Sequence, residues 1–239
     1  MPRFQEKPRG SAGNRMIENI SEKHCPCVVL IDTSGSMRPY VQDLVNALNE
    51  FRNALNGDAD ARARVEIEIV TFDSSVHKLE GFGPVSSFSV PDIVCDGTTC
   101  THDAVQFAME ELEARKAEYK LQGTPYYRPW LVLLTDGGSN DGDVTQFPNA
   151  FRDVLQAQRD KHLVYYGIAV GNEANREEVA SMHINNVVLT PETTQFSDIF
   201  EWLSASLVIT SSTPSTDITV SQDPAKSGLS WEQLSISRT

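Results

Sequence analysis

Residues 27–36 read Cys27-Val28-Val29-Leu30-Ile31-Asp32-Thr33-Ser34-Gly35-Ser36, and residues 130–138 read Trp130-Leu131-Val132-Leu133-Leu134-Thr135-Asp136-Gly137-Gly138. Each begins with an unbroken apolar run of strand length and then breaks into an aspartate among small polar residues. An unbroken run predicts a strand covered on both faces, since a half-exposed strand alternates. Working outward, Val41, Leu44, Val45, Leu48, Phe51 and Leu55 recur at helical spacing, with Pro39 placed to open the helix and Gly57 to close it. Val65, Ile67 and Ile69 alternate with Glu66 and Glu68, which predicts a strand with one face at least partly wet. Asp73-Ser74-Ser75 is turn chemistry, so residues 76–79 are expected to return as a short antiparallel partner.

Ala104, Val105, Ala108, Met109 and Leu112 form a second helical stripe. A third helix is expected around Phe147, Phe151, Val154 and Leu155, and a last one carries Phe196, Ile199, Phe200, Leu203 and Leu207. Further strands are expected over 163–170 and 186–189. This β–α alternation predicts an α/β, three-layer, doubly wound (Rossmann-like) fold. Its central sheet is mostly parallel with one antiparallel edge strand, and helices cover both faces. Residues 1–23 read as a flexible arm, 24–209 as the folded domain, and 210–239, rich in Ser and Thr, as a disordered tail.

Composition narrows the function. The 239 residues carry 33 acidic and 20 basic side chains, a net charge of −13. Such a surface repels nucleic acid and anionic lipid, so neither is an expected partner. No apolar run approaches the roughly 18 residues of a membrane span, and the N-terminus lacks the apolar stretch of a signal peptide. Four cysteines are too few for a disulfide scaffold. The expected compartment is the cytoplasm. His24-Cys25-Pro26-Cys27 lacks the second ligand pair of a zinc site, and Cys95 and Cys100 are expected as free thiols.

The two aspartate breaks carry the chemistry. Open α/β sheets bind ligands at the carboxyl ends of their strands, where the strand order reverses. If the two apolar strands are neighbours there, Asp32, Asp136 and several hydroxyls converge. Carboxylates plus neutral oxygens, without a His or Cys cluster, suit a hard cation such as Mg²⁺, which tolerates retained waters.

Asp32-Thr33-Ser34-Gly35-Ser36 resembles the DxSxS signature of the von Willebrand factor type A domain, whose metal-ion-dependent adhesion site adds a threonine and an aspartate from two further loops. Residues 96–105, Asp96-Gly97-Thr98-Thr99-Cys100-Thr101-His102-Asp103-Ala104-Val105, supply the threonine loop, and Thr135-Asp136-Gly137 matches the family's TDG. Thr98 and Thr99 compete; the family's spacing to Ala104-Val105 favours Thr99. The resemblance spans roughly Cys25 to Leu207. It implies a metal set of Asp32, Ser34, Ser36, Thr99 and Asp136, with Asp32 acting mainly through a bridging water or hydroxyl. It implies Mg²⁺, with Mn²⁺ or Ca²⁺ as substitutes, and a protein partner that offers a carboxylate to the ion.

Thr71-Phe72-Asp73-Ser74 and Trp202-Leu203-Ser204-Ala205-Ser206 are similar to the stand-alone bacterial branch typified by the tellurium-resistance protein TerY. That likeness implies a non-enzymatic interaction module in a stress or signalling system with kinase and phosphatase partners. Asp96 stands where that branch usually has glycine. Two alternatives remain: a Mg²⁺-dependent phosphohydrolase with Asp32 as nucleophile, and a scaffold whose metal site is vestigial. The first would want a second carboxylate two positions on, where Ser34 stands. Thr213-Pro214-Ser215-Thr216 is a candidate phosphorylation segment.

Overall fold

The computed structural model describes residues 13–90, 92–140, 148–171, 174–191, 196–213 and 229–235. Strand β1 (Cys25–Asp32) is buried along its whole length, as its apolar run demands. It is followed by a 3-10 turn (Gly35–Tyr40) that contains Pro39, then α1 (Val41–Gly57) and the short α2 (Ala59–Arg64). Next come β2 (Val65–Phe72), β3 (Val76–Pro84), α3 (Thr101–Gln122) and β4 (Trp130–Thr135). The chain continues through α4 (Asn149–Arg159), β5 (Val164–Ala169), α5 (Arg176–Ser181), β6 (Val187–Pro191), α6 (Phe196–Ser212) and β7 (Leu229–Gln233).

The strands form one sheet in the order β3-β2-β1-β4-β5-β6-β7. β1 pairs in parallel with both β2 and β4, and β3 returns antiparallel beside β2. Alternation along β1 divides the core: Val28 and Leu30 join Ala104, Val105, Phe151 and Val154 on one face. Val29 and Ile31 join Leu44, Phe51, Phe200 and Leu203 on the other. Helices thus cover both faces, and the mostly parallel doubly wound architecture with an antiparallel edge strand is present. From β1 the chain first winds outward through β2 and β3, then crosses back to β4 and winds the other way. The reversal lies between β1 and β4, whose carboxyl ends carry Asp32 and Thr135-Asp136.

Three expectations need correction. The face of β2 carrying Glu66 and Glu68 is not wet; both residues are buried. Alternating polarity reflects ion pairing beneath α3 instead of solvent. Glu66 lies 2.7 Å from Arg115 Nε and accepts the Tyr119 hydroxyl at 2.6 Å, and Lys78 Nζ stands 3.1 Å from Glu68. Burial opposes the charge of Glu66, but His24, Arg115 and Tyr119 together hold it below the usual carboxylate range.

Residues 13–23, read as part of a flexible arm, are largely exposed yet anchored to the domain at several points. Arg15 N–H donates to Phe82 O at 2.7 Å, its guanidinium meets Glu80 at 2.6 Å, and Ile17 is buried. This segment covers the outer edge of β3, which would otherwise leave backbone groups unpaired. The described parts of 210–239 also hold structure, since α6 runs to Ser212 and β7, over Leu229–Gln233, pairs antiparallel with β6. The sheet therefore has an antiparallel strand at each edge. Thr213 is described, whereas the rest of the candidate phosphorylation segment and residues 1–12 lie outside the described residues. Among the described residues, no helix is long and apolar enough to cross a membrane.

Candidate metal centre

Parallel pairing sets Ile31 beside Leu134, so the next residues of each strand emerge side by side at the sheet's carboxyl end. Asp32 is fully buried there, and both of its oxygens are engaged. Oδ1 accepts the Ser34 N–H at 2.8 Å and Oδ2 accepts the Thr135 hydroxyl at 2.6 Å. Asp32 thereby pins the turn that carries the serines to the adjacent strand. The Oγ atoms of Ser34 and Ser36 are 3.1 Å apart, and the Ser36 hydroxyl donates to Asp136 Oδ1 at 2.9 Å. Four of the five expected residues are thus joined by hydrogen bonds, Asp32 through the Ser34 N–H and the other three oxygen to oxygen.

The threonine loop is tied to the first by backbone bonds, Gly35 N–H to Gly97 O at 3.2 Å and Asp96 N–H to Thr33 O at 2.9 Å. Gly97 has φ +75°, and a Cβ there would lie 2.3 Å from Ser74 Oγ, so only glycine suits the position. Thr98 is exposed, and its hydroxyl bonds Ser74 Oγ at 3.2 Å. Thr99 is buried, and its Oγ1 lies 3.8 Å from where a Gly137 Cβ would stand. Thr99, not Thr98, therefore turns its hydroxyl toward the loop of Asp136. That loop grips it in return: Asn140 Oδ1 accepts Thr99 N–H at 3.1 Å, and Asn140 N–H donates to Thr99 O at 2.7 Å.

Burial raises both carboxyls above the ordinary aspartate range. For Asp32 the hydrogen bonds from Thr135 and Ser34 partly offset it; for Asp136 the Ser36 hydroxyl offsets it while the Asp32 charge adds to it. Two carboxylates that resist ionising beside each other, with hydroxyl oxygens between, form a donor set that a hard cation fits. Among the described residues, no group of three or more His, Cys, Asp or Glu side chains gathers as a soft-metal or carboxylate-rich cage. His24 turns instead toward Glu66, 3.2 Å away, and Cys25 and Cys27 are buried in β1. None of the four cysteines is in a disulfide, and burial pushes the Cys95 thiol up to about 11.

Sequence reading gave Thr135 and Asn140 no role of their own. The hydroxyl of Thr135 is visible in the TDG motif, but its partner is more than a hundred residues away in sequence. Asn140 has no local signal, because its clamp exists only once β4 and the threonine loop are side by side.

A doubly wound sheet with oxygen donors at its switch point is the arrangement in which open α/β proteins carry their ligand sites. The model of the von Willebrand factor type A domain matches residues 27–202, and the chain belongs to that family. Solved structures share the fold at low identity. Proximal thread matrix protein 1 from the mussel byssus, with a zinc-occupied MIDAS motif, is 16% identical with a TM-score of 0.55, over 78% of this chain and 48% of that one. The ArnB paralog VWA2 from Sulfolobus acidocaldarius is 19% identical with a TM-score of 0.51, over 79% and 45%. A von Willebrand factor type A protein from Catenulispora acidiphila is 14% identical with a TM-score of 0.55, over 78% and 43%. This chain spans about half the length of these proteins or slightly less. No curated protein matches the sequence.

Proposed function

We propose that the chain is a non-enzymatic protein-interaction module that captures an acidic side chain of a partner protein through a divalent cation, Mg²⁺ in the first instance. Asp32, Ser34, Ser36, Thr99 and Asp136 would hold the ion. When bound, it supplies positive charge with coordination positions left for a carboxylate oxygen. The residues do the rest: Asp32 fixes the serine turn, Thr135 fixes Asp32, and Asn140 fixes the backbone of Thr99. The observation that carries the reading is the continuous hydrogen-bonded run Ser34–Ser36–Asp136 at the switch point. The zinc in the MIDAS motif of the mussel protein supports a cation in a site of this kind.

A phosphohydrolase reading fares worse. Its nucleophile would be Asp32, which is fully buried with both oxygens occupied, and the position two residues on is a serine bonded to a serine. The finer setting, a cytoplasmic bacterial stress or signalling system of the TerY kind with kinase and phosphatase partners, rests on the motif likeness over residues 71–74 and 202–206. Buried cysteines outside any disulfide suit a reducing compartment.

Mn²⁺ binding followed by electron paramagnetic resonance, with Mg²⁺ as competitor, tests the metal. Asp136→Ala and Asp32→Ala should each weaken Mn²⁺ binding at least tenfold, a loss of about 1.4 kcal/mol or more. Circular dichroism verifies that each variant is folded. Equal affinity in wild type and Asp136→Ala would leave a scaffold with a vestigial site.

A further inference from the structure

Arg38 stands on the 3-10 turn, two residues past Ser36, with its side chain 67% exposed. Its Nη2 is 3.2 Å from Asp96 Oδ1, and its Nε donates to Cys95 O at 3.4 Å. Asp96 lies three residues before Thr99 on the second loop, and its own side chain is 81% exposed. This ion pair therefore bridges the rims of the two loops that bear the oxygen donors. The backbones beneath it are already joined through Asp96 N–H to Thr33 O and Gly35 N–H to Gly97 O. The loops do not need the pair to stay together.

Exposed pairs of this kind contribute little and open readily. A guanidinium is also the group best shaped to take a carboxylate with two parallel bonds. The surrounding charges at this end of the sheet, Asp32, Asp73, Asp96 and Asp136, are acidic, and Asp73 and Asp136 both act on the buried Asp32 or on Cys95 through their charge. An acidic ligand approaching the oxygen donors thus meets, in Arg38, a cation on the first loop whose partners, Cys95 O and Asp96, lie on the second.

Resting on the function proposed above, we propose that Arg38 is a specificity-determining residue that accepts a second carboxylate of the partner, so that the site reads a pair of acids. Asp96 is the internal stand-in for that second acid. It occupies the guanidinium until the second acid displaces it, so a two-acid ligand gives up part of its gain to that displacement and a one-acid ligand leaves the pair in place. The partner segment this selects is diacidic, with its two side chains a few residues apart.

The test uses blocked synthetic peptides carrying one Asp, or two Asp separated by none to three glycines, titrated into the full chain with Mg²⁺ or with EDTA and followed by NMR. In wild type with Mg²⁺, at least one two-acid peptide should bind about tenfold tighter than the one-acid peptide. Arg38→Gln should bring that ratio close to one, and Asp96→Asn should enlarge it several-fold. If no two-acid peptide exceeds the one-acid peptide, or if the ratio survives in Arg38→Gln, the inference about Arg38 is overturned while metal-dependent capture stands. If the one-acid peptide binds equally with EDTA, or does not bind, the function proposed above fails and the Arg38 inference falls with it. Both substituted side chains are exposed, and unchanged melting temperatures establish that the variants compare folded proteins.

Discussion

Glu68 sits in the middle of β2 with no exposed surface, and neither of its carboxylate oxygens takes a well-formed hydrogen bond, although Lys78 Nζ is 3.1 Å away. Burial pushes its carboxyl up to about 7; Lys78 counters that, and Glu111 adds to it. The folded state therefore holds a proton that the unfolded chain, near 4.5, gives up. Stability from this group is fully present below about pH 4.5 and is lost as pH rises through 7. Glu68→Gln removes that dependence. Relative to wild type, it should gain on the order of 2–3 kcal/mol between pH 5 and pH 8, read from urea unfolding at both values. A constant difference between the two proteins would mean that Glu68 is ionised in the fold. Residues of this kind explain what the sequence hides. Asp32 and Asp136 are legible because each ends an apolar run, a wholly local signal. The burial of Glu66 and Glu68 is not, since Arg115, Tyr119 and Lys78 reach them only through tertiary packing.

Elements follow the same division by range. β1 and β4 were readable from consecutive apolar residues, and the long helices α1 and α3 from apolar residues at helical spacing. α2, α5 and β7 are short, and their sequences carry too few apolar positions to show a period. β5 makes room for α5 with a glycine: a Cβ on Gly167 would stand 2.3 Å from Val179 Cγ1. β7 is the clearest loss. Leu229-Ser230-Trp231-Glu232-Gln233 reads as polar, and its register against β6 is set by partners some forty residues earlier. Leu229 is nonetheless fully buried in the main core, while Trp231 lies against Tyr166 and His183 and stays 44% exposed. Leu229→Ala should cost about 2–4 kcal/mol, as a leucine lost from a packed site does, and Ser230→Ala less than about 0.5 kcal/mol. Chemical denaturation of the two variants gives the comparison. Equal small losses would show that β7 does not belong to the cooperative fold.

At the scale of the whole molecule, a net charge of −13 surrounds a site proposed to recruit acids. The long-range field repels such a ligand, and only the last few ångströms favour it. Screening removes the long-range part first, because the Debye length falls to about 10 Å at 0.1 M salt. Association of the one-acid peptide with Mg²⁺-loaded protein should therefore speed up as NaCl is raised from about 20 to 100 mM, in contrast to oppositely charged pairs, which slow down. Stopped-flow rates decide it; a rate that falls with salt would mean that the face around the donors is positive to an approaching ligand. Composition pointed away from nucleic acid and anionic lipid, and only the placement of oxygens at the switch point makes an acidic side chain a fitting ligand.

The hydroxyls of Ser34 and Ser36 and the carboxylate of Asp136 bond to one another, and the carboxylate of Asp32 is held by the Ser34 N–H and the Thr135 hydroxyl. On the function proposed above, the loops that would hold the ion are also joined by the chain's own hydrogen bonds, so the ion is not alone in tying them together. A socket of a few oxygens discriminates weakly among hard cations by ligand chemistry alone. Occupancy then follows supply. The same chain, unaltered, would carry whichever divalent ion its surroundings hold in greatest free amount, and its grip on a partner would become a gauge of that ion's abundance.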